Sequence, residues 1–113
     1  MQLPGAERAV VDPAKVRDYL LSSEHPVGRS KARFFAALGF TRTGWPAFQR
    51  ILLNVARHDD ALEGGETLYG RKYEIHATIV GANGRAAEVV TVWIVLTGED
   101  FPRFVTAYPG GFR

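Results

Sequence analysis

Residues 23 to 40, SEHPVGRSKARFFAALGF, place His25, Arg29 and Lys31 within seven positions, directly ahead of an apolar helical face. These side chains suit phosphodiester chemistry. A histidine titrates near neutral pH and can take or give a proton. Arginine offers a phosphate a two-pronged fork, and lysine a point charge. The free N–H groups and positive dipole end of the following helix also favour a phosphate. A solvated helix start would have the same composition, and spacing alone admits both readings.

Cleaving RNA without a metal needs a group to accept the ribose 2′-OH proton, an acid for the leaving 5′-oxygen, and cations for the phosphorane charge. His25 is the leading acid or base. Lys31, Thr106 and Tyr108 complete the catalytic candidates, and Arg29, Lys72, His76 and Trp93 are candidates for holding substrate, with Trp93 as a surface for stacking a base. Only folding can bring residues 25–31 to residues 106–108. His58, in the acidic run RHDD, reads as a helix-end surface residue. Three histidines without close carboxylate spacing form no zinc motif, so neither metal nor cofactor is expected. GANG lacks the lysine and following helix of a phosphate loop, and there is no G-x-S-x-G elbow. The glycine-aromatic signature of the RNA-recognition module is absent, although exposed aromatics on a sheet can still stack bases.

The elements that must position these residues follow from periodicity. Asp12 caps a helix opened by Pro13, expected over about 13 to 22 with Val16, Tyr19 and Leu20 on its apolar stripe. HPVG interrupts the chain. Ser30 is the expected cap of a second helix, about 31 to 38, which Gly39 ends. A third starts near Trp45 and Pro46, with Phe48, Ile51, Leu52 and Val55 at helical spacing. From Gly64 the period changes: RKYEIHATIV, RAAEVVTVWIVLT and PRFVTAYP read as three strands joined by GANG and GEDF. Helices first and strands afterwards predict an α+β fold, with N-terminal helices packed on one face of a C-terminal antiparallel β-meander.

Pairing Val80 with Arg85 and Thr97 with Pro102 sorts the side chains by face. One set is Tyr73, Ile75, Ala77, Ile79, Val90, Val92, Ile94, Leu96, Val105 and Ala107, the expected core. The other includes Lys72, Glu74, His76, Thr78, Thr91, Trp93, Phe104, Thr106 and Tyr108, a polar and aromatic face that suits either binding or plain solvation.

The chain has 113 residues, 46% apolar and 23% charged, which fits a single globular domain over 1–113. It contains no cysteine, which excludes disulfides and thiolate metal sites and fits a cytoplasmic protein. No apolar run is long enough to span a membrane, and MQLPGAERAV has no signal-peptide pattern. A net charge of +2 permits an anionic partner without requiring one.

The segments LPGAERAVVDPAKVRDYLL, HPVGRSKARFFAALGF, YGRKYEI, GRAAEVVTVWIV and PRFVTAYP resemble an uncharacterised bacterial domain family found alone in small operons and at the C-termini of secreted toxins. The order of elements and the terminal TAYP also look like the broad superfamily of barnase, EndoU, colicin E5/D and RelE-type ribonucleases. That resemblance implies a toxin-like, metal-independent ribonuclease that works by 2′-OH attack in a cytoplasm, its own or a target cell's. It nominates His25, Lys31, Thr106 and Tyr108, although the glutamate–histidine pair of the barnase type is missing. The implied partners are RNA and an antitoxin or immunity protein, with a homodimer as a further use of the aromatic face and no membrane contact. The alternative is a non-catalytic module that binds such a protein through its open sheet face. The enzyme needs His25 to converge with the last strand in a cleft; the binding module needs only the sheet.

Overall fold

Asp12 and Pro13 begin the first helix as their residue types require. In the computed structural model, which describes residues 1–110, the Asp12 side chain accepts a hydrogen bond from the Ala14 N–H at 3.0 Å. Helix α1, Pro13–Lys15, runs on into a π-helical turn, Val16–Leu20, closed by the Leu21 N–H on the Val16 carbonyl. Helix α2 spans Arg29–Ala36 and α3 spans Trp45–His58. Ser30 does not cap α2. His25 closes the turn that leads into it, its Nδ1 accepting from the N–H groups of Val27 and Gly28, each at 3.0 Å. The helix ends at Ala36, and the turn that follows closes at Gly39, with the Phe40 N–H reaching back to the Phe35 carbonyl.

Four strands follow: β1 Leu62–Glu66, β2 Gly70–Val80, β3 Ala86–Leu96 and β4 Pro102–Pro109. They form one antiparallel sheet in the order β1-β2-β3-β4. The chain is therefore α+β, helices before strands. Strand β1 was not expected, since LEGGE has no alternation and every residue of it is exposed. Val10 adds a short parallel bridge to Arg103 at the outer edge of β4.

The sheet register differs by one residue from the sequence expectation. Val80 pairs with Ala86, not Arg85, because Gly81 and Arg85 also pair, the Gly81 N–H donating to the Arg85 carbonyl. The loop is then Ala82-Asn83-Gly84, with Gly84 left-handed at φ 86°. This is the three-residue hairpin that a turn plus a left-handed glycine makes. A shift of one residue turns every β3 side chain over. Val89, Thr91 and Trp93 face the helices with Tyr73, Ile75, Ala77 and Ile79, and Val90, Val92, Ile94 and Leu96 lie on the opposite face. In β4 a bulge at Val105 changes the alternation again, since Phe104 pairs with Trp93 but Thr106 pairs with Val92. Phe104 and Ala107 therefore join the core, while Thr106 and Tyr108 keep their places on the open face.

Trp93 is the main correction. It is fully buried, packed edge-on against Phe104 at 5.3 Å between ring centroids, and no part of its ring is open to stack a base. Its Nε1–H donates to Thr91 Oγ1 at 2.9 Å, and Thr91 in turn donates to the Ile75 carbonyl. A threonine read as surface is thus the polar pin of the core, together with Phe35, Phe48 and Leu52 from the helices. Among the described residues no helix is long and apolar enough to cross a membrane.

Candidate active site

Three of the four catalytic candidates lie close together, and Tyr19 joins them. On sequence Tyr19 is one of an apolar helical stripe. In the structure it stands in the π-helical turn, half-buried, and its hydroxyl lies 3.1 Å from Thr106 Oγ1 on β4. Lys31 Nζ is 5.6 Å from the Tyr19 ring centroid and Lys15 Nζ is 5.9 Å from it. The His25 ring meets the Tyr19 ring edge-on, with centroids 5.0 Å apart. Tyr19, Lys15, His25 and Thr106 line one cleft of about 520 Å³ at the β4 edge of the sheet.

Local sequence explains the convergence. Lys15 and Tyr19 are one helical turn apart and so share a side. Gly28 lets α2 start hard against that turn, since a Cβ there would sit 2.1 Å from the Tyr19 carbonyl oxygen. HPVG is therefore a close-approach element as well as a break. The bulge at Val105 sets Thr106 at the same edge.

The electrostatics follow from this geometry. Burial works to raise the Tyr19 pKa, but the hydrogen bonds to Thr106 and Lys31 and the charges of Lys31 and Lys15 outweigh it. The phenol is held below the usual tyrosine value. Tyr108 goes the other way, pushed up by burial and by the Glu74 carboxylate. Backbone N–H groups can only donate, so His25 Nδ1 must present its lone pair to Val27 and Gly28. The ring proton of the neutral form is then on Nε2, and the nitrogen left for a ligand is a donor.

The remaining candidates are spread over three places. Tyr108, His76 and Lys72 lie on the open sheet face, with His76 and Tyr108 in one row across Val90. His76 Nε2 is 3.3 Å from Glu74 Oε1. Arg29 is exposed on the flank of α2 away from Tyr19, in a groove with Arg33 and Arg42, so Arg29 and Lys31 do not grip one phosphate from the same side. The amides of Val27 and Gly28, in the turn before α2, are taken by His25, and that of Arg29 bonds the His25 carbonyl. Among the described residues no group of three or more His, Asp or Glu side chains could hold a metal ion.

No curated protein matches the sequence. In fold, the chain is similar to a chain of the contact-dependent growth inhibition toxin–immunity protein complex from Klebsiella pneumoniae 342. The TM-score is 0.69 at 18% identity, over 88% of this chain and 98% of that one, a likeness of fold. A family model matches residues 2–111. With nearly its whole length matched, the chain belongs to the family described as Domain of unknown function (DUF6883).

Proposed function

We propose that this chain is a toxin-like, metal-independent ribonuclease whose reaction centre is the Tyr19 cleft. The observation that carries the reading is the meeting of Lys31, Lys15, His25 and Thr106 around one phenol whose pKa is held below the usual tyrosine value. Tyr19 as phenolate takes the 2′-OH proton, and the 2′-oxygen attacks phosphorus. Lys15 and Lys31 neutralise the phosphorane. The P–O5′ bond then breaks, and the Lys31 ammonium gives the leaving oxygen its proton. Thr106 orients the phenol, and His25 donates through Nε2–H to a non-bridging oxygen. Tyr108, Lys72 and His76 hold the strand beyond the cleft. Fold-level similarity to a chain of a toxin–immunity complex supports a place in such a system without assigning the chemistry.

Incubation of the purified protein with total RNA in EDTA, followed by end-group analysis, should yield 2′,3′-cyclic phosphate and 5′-hydroxyl ends. Tyr19→Phe or Lys31→Ala should cut the rate by roughly 10²–10⁴-fold, the usual worth of acid–base catalysis. No cleavage by the wild type, or an undiminished rate in Tyr19→Phe, would overturn the reading.

A second reading is favoured by one feature. Val92, Ile94 and Leu96 lie half-exposed on the open sheet face. Such a strip suits a protein partner of the antitoxin or immunity kind, and it can coexist with a cleft at the sheet edge.

A further inference from the structure

Helix α2 carries a charge arrangement that works against its own stability. Its first turn has no acid, yet Arg29 and Lys31 stand there at the positive end of the dipole. Arg29 and Arg33 are four residues apart, and like charges at that spacing repel. Neither has a carboxylate partner among the described residues. Together with Arg42, Ser23 and Thr41 they line a groove of about 410 Å³ on the side of α2 away from Tyr19. Arg42 is aimed there by two contacts, Nη2 to Asp18 Oδ1 at 2.8 Å and Nε to the Arg17 carbonyl at 3.2 Å. It also lines the adjoining hollow with Arg17, Thr43 and the half-buried Trp45. The groove thus presents the forks of Arg29 and Arg33, and it runs on past Arg42 and Arg17, whose forks are engaged with Asp18, to the Trp45 indole under Arg17.

We propose that this groove is a second anion site of the same enzyme, a track for the phosphate backbone of single-stranded RNA outside the reaction centre. The proposal rests on the ribonuclease reading for its choice of polyanion. Guanidinium forks match phosphate oxygens, and basic grooves with aromatic surfaces are how proteins hold single strands without reading sequence. Lys31 and the Arg29–Arg33 pair stand on opposite sides of one helix about 10–12 Å across. A strand whose scissile phosphate lies at Lys31 reaches the arginines within a few nucleotides by crossing the start of α2. Arg29 therefore has a phosphate to bind, but not the one that is cleaved.

The test uses the full chain and a 20-nucleotide 2′-O-methyl RNA, which binds but has no 2′-OH to react. The Arg29→Ala/Arg33→Ala double variant keeps its fold, since it removes a repulsion, and thermal melting checks that. Its affinity for the oligonucleotide should fall at least about 10-fold, and the slope of log K against log salt should become shallower by about 1.4, about 0.7 for each lost phosphate contact. Unchanged affinity and slope would overturn the track, whatever the cleavage assay shows. If the wild type cleaves no RNA but the arginine effect holds, the track stands and the ribonuclease reading falls alone. If the arginines affect binding of poly-glutamate and not of RNA, the groove takes an acidic protein and the proposal is wrong.

Discussion

Tyr19 and Tyr108 are phenols on neighbouring parts of the fold with opposite surroundings. Lysines and Thr106 favour the ionised form of Tyr19, whereas burial and then Glu74 disfavour it for Tyr108. A spectrophotometric titration should therefore show one tyrosine ionising below the ordinary value of about 10 and another above it. Tyr19→Phe should remove the early step, Tyr108→Phe the late one, and Lys31→Ala should move the early step upward. An early step that survives in Tyr19→Phe would show that the lysines do not act on this phenol. His25 has two separable duties, closing the turn that leads into α2 through Nδ1 and presenting Nε2–H. His25→Ala loses both and should cost about 1 kcal/mol of stability, as a lost cap does. His25→Asp can accept from the same two amides but cannot donate, so stability should recover while RNA cleavage stays low. If cleavage returns with the turn, His25 is structural only. The sequence made His25, Lys31 and Thr106 visible through their chemistry. Tyr19 was hidden because its spacing with Val16 and Leu20 also fits an apolar stripe, although Lys15 one turn earlier was the available signal.

At the level of strands, three of the four were legible to within a residue or so from alternation and β-branched content, and the helix starts from Asp12-Pro13 and Trp45-Pro46. The register was not. GANG marks a hairpin, but whether the loop has three or four residues depends on Gly84 taking a left-handed conformation, and two equally apolar halves of β3 gave no other clue. The bulge at Val105 is likewise silent in a sequence whose alternation looks unbroken. This correction reverses an expected order of mutational damage. With Thr91 fully buried, Thr91→Asp should cost several kcal/mol or prevent folding, as for an unpaired buried charge, whereas Val92→Asp on the open face should be milder. Thr91→Val should still cost about 1–3 kcal/mol, because it leaves the Trp93 indole N–H without an acceptor. Denaturant unfolding of the three variants decides the register. Greater damage from Val92→Asp than from Thr91→Asp would restore the four-residue loop.

The molecule as a whole is joined at one carboxylate. Asp18 accepts from Arg17 Nε and Nη2 at 3.0 and 2.8 Å and from Arg42 Nη2 at 2.8 Å, linking the π-helical turn that carries Tyr19 to the connection between α2 and α3. The helices-then-sheet plan was readable from the change of period near residue 64, but this link was not, because the two ends lie 24 residues apart and nothing in RDYL or TRTG marks them as partners. Hydrogen bonds from Arg17 and then Arg42 hold the Asp18 carboxyl far below the usual carboxylate range. The folded pKa is lower than the unfolded one. The stabilisation is therefore present above the ordinary value of about 3.9 and is lost as pH falls from there towards the folded value. Asp18→Asn should consequently lower the melting temperature at neutral pH, and the gap to wild type should close below about pH 4. Because Asp18 and both arginines are partly exposed, added salt should narrow the gap at neutral pH as well. A gap that stays constant from pH 7 to pH 3 would mean that Asp18 acts through packing or neutral hydrogen bonds. The arginines around it would then not be held in place by charge, and the groove on the far side of α2 would owe its shape to the backbone alone.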